Sequence, residues 1–266
     1  MLEELSCFNN KLTELKVANC STLEKLFCSD NKLTVLDFTG CTSLKSLGCS
    51  NNQFTELDVT KLVKLISLGC DDNQLTSLDV TTLKRLQSLN CCGNKLTSLD
   101  LSNNIALTEL RCFHNRLTAL DFSGCPKIKT LWMYNNCIRG EAMDALIESL
   151  PEVNDIWPVM IELTAGCGER NVITEAQVAA LKEKGWGPYS YEDGVCYPYP
   201  GGETVVLKGD ADNNGEVNAA DIVAIVGYFA GIESDSFDFD AADANDDGKI
   251  DIADIILISY AIMSKK

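Results

Sequence analysis

The sequence predicts an α/β repeat fold: a solenoid of short repeats with a small αβ cap, followed by a small all-α module. The first half of the chain repeats every 21 residues, the period stops near Ile138, and an acidic, internally duplicated segment closes the chain. A repeat this short cannot enclose its own apolar side chains, so its copies must stack and share one core. We expect three parts: repeats over residues 1–138, a cap and linker over 139–200, and the all-α module over 201–266.

The repeats share the pattern L-x-x-L-x-C-x-x-N-x-L-T-x-L-D, and seven copies lie between residues 2 and 138. The leucine and cysteine columns predict side chains that point into the shared core. An inward asparagine in every repeat is expected to satisfy backbone groups that strand pairing leaves open. The cysteine column is Cys7, Cys28, Cys49, Cys70, Cys91, Cys112 and Met133, and the asparagine column is Asn10, Asn31, Asn52, Asn73, Asn94, Asn115 and Asn136.

The cysteine columns predict buried free thiols rather than a disulfide framework. Side chains of one column point the same way from neighbouring parallel strands, which is poor disulfide geometry. Cys20, Cys41 and Cys125 form a second column and are interpreted in the same way. A bond between Cys167 and Cys196, which lie outside both columns, stays open.

The segment after Ile138 predicts a helix, a strand and a second helix that cover the last repeat. Residues 141–150 carry apolar side chains at helical spacing, and residues 158–163 favour a strand. Thr174 and Gln177 have the capping-box spacing, which predicts a helix from there to Gly185. The prolines and glycines of residues 197–202 predict a linker.

The repeats resemble leucine-rich repeats in the 21-residue form of gut-anaerobe surface proteins. The resemblance covers residues 2–138 and implies a parallel strand in each repeat and an asparagine that bonds the backbone where the chain leaves the sheet. Similar α/β endings follow the repeats in those proteins. Since the first repeat begins at Leu2 without a polar cap, we expect that further N-terminal residues, including a signal peptide, precede this sequence.

Two segments that start at Asp210 and Asp243, 33 residues apart, predict calcium loops. In such a loop, oxygen-bearing side chains at positions 1, 3 and 5 converge on a cation, and glycine at position 6 allows the sharp turn. Position 7 offers a backbone carbonyl, and position 12 supplies a carboxylate. Two copies in one register disfavour the alternative that the acids form only a solvated face. The predicted ligands of two calcium ions are Asp210, Asp212, Asn214, Glu216 and Asp221 in the first loop, and Asp243, Asn245, Asp247, Lys249 and Asp254 in the second.

Tandem loops with Asp at position 12, each followed by an apolar helix, resemble a type I dockerin module over residues 204–266. The resemblance implies calcium-dependent docking to a cohesin-like scaffold protein, as in polysaccharide-degrading assemblies. The Ser-Thr pair that many cohesin-binding dockerins carry at positions 10 and 11 is replaced by Ala219-Ala220 and Ile252-Ala253. That departure puts the usual partner in doubt and leaves the metal ligands in place.

The outward positions of the strands predict a ligand-binding face, and the sequence contains no catalytic motif. Small residues occupy the middle of this face, and aromatic and basic residues occupy its ends. A peptide or glycan could bind at these ends. The alternative is that the aromatic side chains only cover the end of the sheet beside the cap. A lone histidine without a nearby nucleophile is poor support for catalysis. The candidate ligand residues are Phe8, Phe27, Arg111, Phe113, His114, Trp132 and Tyr134.

Charge and composition exclude several classes of partner and of protein. The net charge is −17, and the excess of acids lies after the repeats, which disfavours nucleic acid or anionic membranes and favours cations. No apolar stretch has the length of a membrane span, about 18 residues. Two hypotheses remain for a secreted or cell-surface protein that is not an enzyme. In the first, the repeats bind a protein or glycan and the tail docks the chain to a scaffold; in the second, it is a structural stalk whose calcium module is only a clamp.

Overall fold

A computed structural model of the chain describes residues 2–153, 157–163, 171, 173–192, 195–198, 208–212, 217–232, 237–245 and 248–264. The chain divides into two compact units, Met1–Gly202 and Glu203–Lys266. The first is a solenoid of parallel strands and the second is helical, so the predicted fold class is confirmed. The bond between Cys167 and Cys196 that the sequence leaves open involves side chains outside the described residues.

Seven strands of three residues each come from the seven repeats, and they align in parallel with leucine opposite leucine at their centres. The return limbs form no second sheet within the described residues. Each is instead tied to the next rung by bonds such as that from the Gln53 N–H to the Leu33 carbonyl, 2.9 Å. The strands are β1 (Glu4–Ser6), β2 (Lys25–Phe27), β3 (Ser46–Gly48), β4 (Ser67–Gly69), β5 (Ser88–Asn90), β6 (Glu109–Arg111) and β7 (Thr130–Trp132).

The cap continues the same sheet rather than merely lying over its end. Its elements are α1 (Gly140–Ser149), β8 (Trp157–Leu163), α2 (Glu175–Glu183), β9 (Trp186–Glu192) and β10 (Val195–Pro198). Strands β8 and β9 add in parallel to β7, and β10 pairs antiparallel with β9. The predicted linker was therefore wrong at its start, because residues 197 and 198 belong to β10. Proline is tolerated there since β10 is an edge strand.

The repeat asparagines form a ladder of buried amides. The Asn52 Nδ2 donates to the carbonyls of Cys28, Cys49 and Ser50, each at 3.1 Å, and its Oδ1 accepts the Leu33 N–H at 2.9 Å. One side chain thus bonds four backbone groups of neighbouring rungs and supplies the acceptor for the buried Leu33 N–H. Neighbouring rungs repeat these bonds almost without change.

Asn171 extends the ladder into the cap, although it lies outside the 21-residue period. Its Nδ2 donates to the Met133 carbonyl at 2.8 Å, and its Oδ1 accepts the Ile138 N–H at 3.0 Å. The side chain is buried. The cap therefore ends the solenoid with the same hydrogen bonds that join its repeats.

The residue before each ladder asparagine has a left-handed backbone conformation. This column is Asn9, Asp30, Asn51, Asp72, Gly93, His114 and Asn135, with φ between 49° and 60°. Asparagine, aspartate and glycine adopt this conformation at low cost, and histidine does so more readily than most residues. The turn that ends each strand therefore restricts which side chains this column can carry.

The cysteine column lies in the core as free thiols. The described cysteines, from Cys7 to Cys137, form no disulfide with one another, and those of the ladder from Cys28 to Cys112 are buried. Burial raises the pKa of the Cys28 thiol to about 12, with a smaller contribution from Cys7. Since the thiolate is the reactive form, these side chains act as small apolar residues at neutral pH.

Alanine in place of Asn52 is expected to remove about 1–3 kcal/mol from the free energy of unfolding, because the buried Leu33 N–H loses its acceptor and the Cys28, Cys49 and Ser50 carbonyls each lose one of two donors. Urea denaturation with calcium present measures it. Asn103→Ala is the control, since Asn103 is exposed on a turn. Equal losses in the two variants would contradict the role given to the ladder.

An aspartate column on the return limbs predicts a pH effect. Asp79 accepts the Thr81 hydroxyl at 2.6 Å and the Thr81 N–H at 2.9 Å, and these bonds lower the pKa of its carboxyl. Such a group contributes stability above its unfolded pKa, about 3.9, and that stability is lost as pH falls through the folded pKa.

In Thr81→Val the pKa of Asp79 should therefore rise toward its ordinary value, because the hydroxyl bond is the larger cause of the shift. A carboxyl-carbon NMR titration measures it. Thr55→Val, at an exposed position of a return limb, is the control. An Asp79 pKa that stays the same in both variants would refute the assignment.

Candidate metal centre and recognition face

The first predicted metal loop ends in a capping box that fixes its last carboxylate. Asn218 caps α3 (Ala219–Phe229), and its side chain accepts the Ala220 N–H at 2.8 Å. The Asp221 Oδ2 accepts the Asn218 N–H at 2.7 Å, and its Oδ1 accepts the Asp212 N–H at 3.2 Å. Asp221 is fully buried, so its carboxylate is held at a set position inside the unit.

Three carboxylates of this loop converge. One oxygen from each of Asp210, Asp212 and Asp221 lies within 4.8 Å of the other two. Asp210 and Asp221 are buried, and buried carboxylates need a cation or donors that compensate their charge. Oxygens that only accept are the ligands that a hard divalent cation prefers, so these residues fit calcium.

The second loop repeats the bonds of the first, 33 residues later. The Asp254 Oδ1 accepts the Asn245 N–H at 3.3 Å, and its Oδ2 accepts the Asp251 N–H at 2.8 Å. The Asp243 carboxylate accepts the Gly248 N–H at 2.9 Å, and Gly248 has a φ of 80°. Glycine at position 6 thus allows the left-handed turn that brings backbone and carboxylate together.

Three predicted ligands, Asn214, Glu216 and Asp247, lie outside the described residues. Lys249 is described and exposed at position 7, where the prediction uses only its backbone carbonyl. The structure therefore brings together three of the first loop's predicted side chains, and in the second loop it places Asp243, Asn245 and Asp254 in one hydrogen-bonded turn.

The helices that follow the loops expose apolar side chains. In α5 (Ile252–Ser264), Ile252 is 72% exposed, Tyr260 64% and Met263 60%, and Ile256 lies on the same face by its spacing. In α3 the corresponding exposed residues are Val223, Val226 and Phe229. The short helix α4 (Phe239–Ala242) lies between them in sequence. Both helices of the second unit therefore carry apolar side chains at their surface.

On the repeat sheet, five of the predicted ligand residues form one cluster at β6 and β7. The Arg111 guanidinium lies 5.1 Å from the centre of the Trp132 ring and makes a 2.8 Å ion pair with Glu109. The Phe113 and Tyr134 rings stack with centroids 4.4 Å apart. Tyr134 is only 5% exposed, so the prediction of an exposed ring was wrong there. The stack on Phe113 and the cap-side end of the sheet bury it.

His114 completes this cluster and is exposed at its edge. It meets the Phe113 and Tyr134 rings edge-on, and its Nδ1 hydrogen-bonds the Asn135 side chain. Partial burial against these rings lowers the pKa of His114, and the Asp72 carboxylate opposes that shift. The histidine therefore serves the turn and the ring cluster, as expected for a surface residue.

Phe8 and Phe27 lie at the other end of the sheet. Phe8 is exposed, and the Phe27 ring leans over Gly48, since a Cβ on Gly48 would come within 3.1 Å of the Phe27 Cδ1. The seven predicted residues thus form two separate borders of the sheet face rather than one site.

Sequence reasoning missed the polar centre of this face. Asp71 accepts hydrogen bonds from the Ser50 hydroxyl and from the Asn90 Nδ2, the latter at 2.8 Å. These residues occupy neighbouring outward columns of successive repeats. Aligning the outward positions of the repeats in the same way as the inward ones would have brought the three side chains together.

Structures of known proteins resemble the first unit. The functional domain of InlJ from Listeria monocytogenes, which includes a cysteine ladder, is 33% identical with a TM-score of 0.57, and the match covers 68% of this chain and 38% of that one. An internalin (inlF) of the same organism is 22% identical with a TM-score of 0.57, over 68% of this chain and 51% of that one. A leucine-rich-repeat protein of Leptospira interrogans is 22% identical with a TM-score of 0.57, and the match covers 70% of this chain and 48% of that one. The chain thus spans about half or less of each relative.

Comparisons with family models divide the chain into the same two units as the structure. The leucine rich repeats (2 copies) match residues 21–61 and 105–148, and the dockerin type I domain matches residues 208–263. No curated protein matches the sequence. Within the described residues, no helix has the length and apolarity needed to cross a membrane.

These families carry general properties. Leucine-rich repeats and dockerins are generally non-catalytic interaction modules, and no catalytic family matches the chain. Dockerin type I domains generally bind calcium and a cohesin, and proteins that contain them are typically extracellular or at the cell surface. The chain therefore combines leucine-rich repeats with a C-terminal type I dockerin domain.

Proposed function

We propose that this chain is a secreted or cell-surface interaction protein without catalytic activity. Its repeat sheet binds a protein or glycan ligand, and its calcium-loaded tail docks it to a cohesin-like scaffold, as part of a polysaccharide-degrading assembly. The observation that carries the proposal is the pair of matching loops, each of which leads into a helix with exposed apolar residues.

The metal-binding part of the proposal assigns two calcium ions. The side chains of Asp210, Asp212, Asn214 and Asp221, with the Glu216 carbonyl, hold the first ion. The side chains of Asp243, Asn245, Asp247 and Asp254, with the Lys249 carbonyl, hold the second. Each ion supplies positive charge that carboxylates gathered at one point require. The chain's own contribution is to orient Asp221 and Asp254 through backbone N–H groups on either side of each loop.

The docking part rests on the helices that the loops orient. Position 12 of each loop lies in the first turn of the following helix, so a cation bound there links loop and helix directly. The positions that carry Ser-Thr in many cohesin-binding dockerins are apolar here, as Ala219-Ala220 and Ile252-Ala253. The contact that we propose is therefore mainly apolar, with α3 and α5 presenting aliphatic and aromatic side chains.

The second candidate function is a structural stalk in which the calcium unit is only a clamp. The exposed apolar residues of α3 and α5 disfavour it, because a clamp has no use for apolar side chains in solvent. Calcium binding alone fits both candidates, so the partner decides between them. Abundant extracellular calcium supports the proposed location in either case.

Isothermal titration with calcium is expected to give two ions per chain, one in each of Asp221→Asn and Asp254→Asn, and none in the double variant. Asparagine removes the charge that the cation needs and keeps one of the two oxygens that accept backbone N–H groups. Asp79→Asn, an exposed acid of the repeats, is the control and should keep two ions. Two ions in the double variant would refute the ligand assignment.

Pull-down from the surface proteome of the source organism separates the two candidate functions. Partners retained with calcium and lost with chelator, and also lost in the Asp221→Asn, Asp254→Asn double variant, are expected for a docking tail. Partners retained in chelator belong to the repeats. A tail that retains nothing in calcium, while titration shows both ions bound, would favour the clamp.

A further inference from the structure

The middle of the repeat sheet forms a shallow trough on its outward face. Its floor consists of Ser46, Gly48, Ser67, Gly69 and Ser88, where larger side chains stand on the flanking strands. Phe27 borders it on one side, and Asn90 with Arg111 borders it on the other. The trough is open at Gly69, because a Cβ there would meet only the Ser50 hydroxyl at 3.4 Å and the Asp71 carboxylate at 3.8 Å.

The cations around the trough are neutralised by acids of the same face. Lys25 pairs with Glu4 at 3.1 Å, and Arg111 pairs with Glu109 at 2.8 Å. Lys45, at the start of β3, pairs with Glu24 at 2.6 Å. Arg111 also lies over the Trp132 ring, 5.1 Å from its centre. The borders therefore contribute little net charge to the trough.

The acids beside the trough accept hydrogen bonds from neutral side chains rather than from cations. Asp71 receives its hydrogen bonds from Ser50 and Asn90, and both donors are neutral. Asp72 is the next residue, and partial burial together with the Asp71 charge raises its pKa. Asp30 accepts the Asn51 Nδ2 at 2.7 Å, another neutral donor. The trough therefore has an excess of acids, with Phe27 on one side and Asn90 and Arg111 on the other.

We propose that the trough receives a lysine or arginine side chain of a protein partner, with its cationic group at Asp71 and its aliphatic part over Gly69. Charge complementarity selects this occupant over an acidic peptide or a neutral glycan. The aliphatic stem of lysine or arginine suits a floor without side chains, since such stems pack along surfaces while the charged end reaches a carboxylate. The inference deepens the proposed function of the repeat sheet and rests on it.

Two substitutions separate charge from shape. Asp71→Asn keeps an oxygen that can accept from Ser50 and Asn90 and removes only the charge. Gly69→Ala fits the backbone without a close contact and fills the opening with one methyl group. Asp100→Asn is the matched control, because Asp100 is an exposed acid on a return limb.

The experiment is an NMR titration of the full calcium-loaded chain with acetylated and amidated Ala-Lys-Ala-Lys-Ala, and with the same peptide carrying norleucine for lysine. We expect saturable shifts of the Gly69 amide and the Asn90 side-chain amide with the lysine peptide and none with norleucine. Asp71→Asn should weaken binding at least threefold, Gly69→Ala should weaken it measurably, and Asp100→Asn should leave it unchanged. Equal shifts in wild type and Asp71→Asn would overturn the proposal.

Shifts that spread over all the acids of the chain would also overturn it, as would cellohexaose moving these resonances while the lysine peptide does not. The outcome is separable from that of the proposed function. If a chelator-resistant partner from the pull-down binds the Asp71→Asn and Gly69→Ala variants as tightly as wild type, the repeats still bind a protein, and only the trough assignment fails.

Discussion

The buried amide of the repeat asparagine is the interaction on which the first unit depends. A 21-residue repeat leaves only three residues for its strand, so sheet pairing alone satisfies few of the backbone groups that each turn buries. The asparagine of a central repeat bonds one backbone N–H and three carbonyls of neighbouring rungs, and Asn171 makes two such bonds in the cap. The apolar core explains why the repeats stack, whereas the amides explain why they stack in a single register.

The second unit uses carboxylates where the first uses amides, and this changes what the unit requires. Asp221 and Asp254 accept backbone N–H groups much as Asn52 does, and Asp221 closes a capping box as well. A neutral amide is complete once its hydrogen bonds are made, but converging carboxylates still repel one another. The amides of the repeats therefore need no counter-ion, whereas the converging carboxylates of the second unit fit the calcium that dockerin type I domains generally bind.

The period predicted the solenoid, its inward columns and its strand register because every repeat imposes the same constraint on the chain. Features that occur once were harder to predict. Asn171 lies outside the period, and strands β9 and β10 carry prolines and polar residues that hid their pairing with the sheet. The convergence of Asp210, Asp212 and Asp221 was predictable from a loop of fixed spacing. Asp71 was missed because its partners Ser50 and Asn90 are 21 and 19 residues away in sequence, and only an alignment of the outward columns brings them together.

Packing constrains the inward columns of the solenoid much more than the outward ones. The residues that stabilise the core are therefore different from those that can contact a partner. Inward positions vary little, as between Leu47, Leu68 and Leu89, because each side chain must fit the rung beside it. Outward positions change from glycine to arginine to tryptophan on the same backbone. Among the outward positions, the backbone restricts the column with the left-handed conformation. That column still accepts a histidine, His114, beside its asparagines, aspartates and glycine. The face can therefore acquire a charge pattern suited to a partner without cost to the core beneath it.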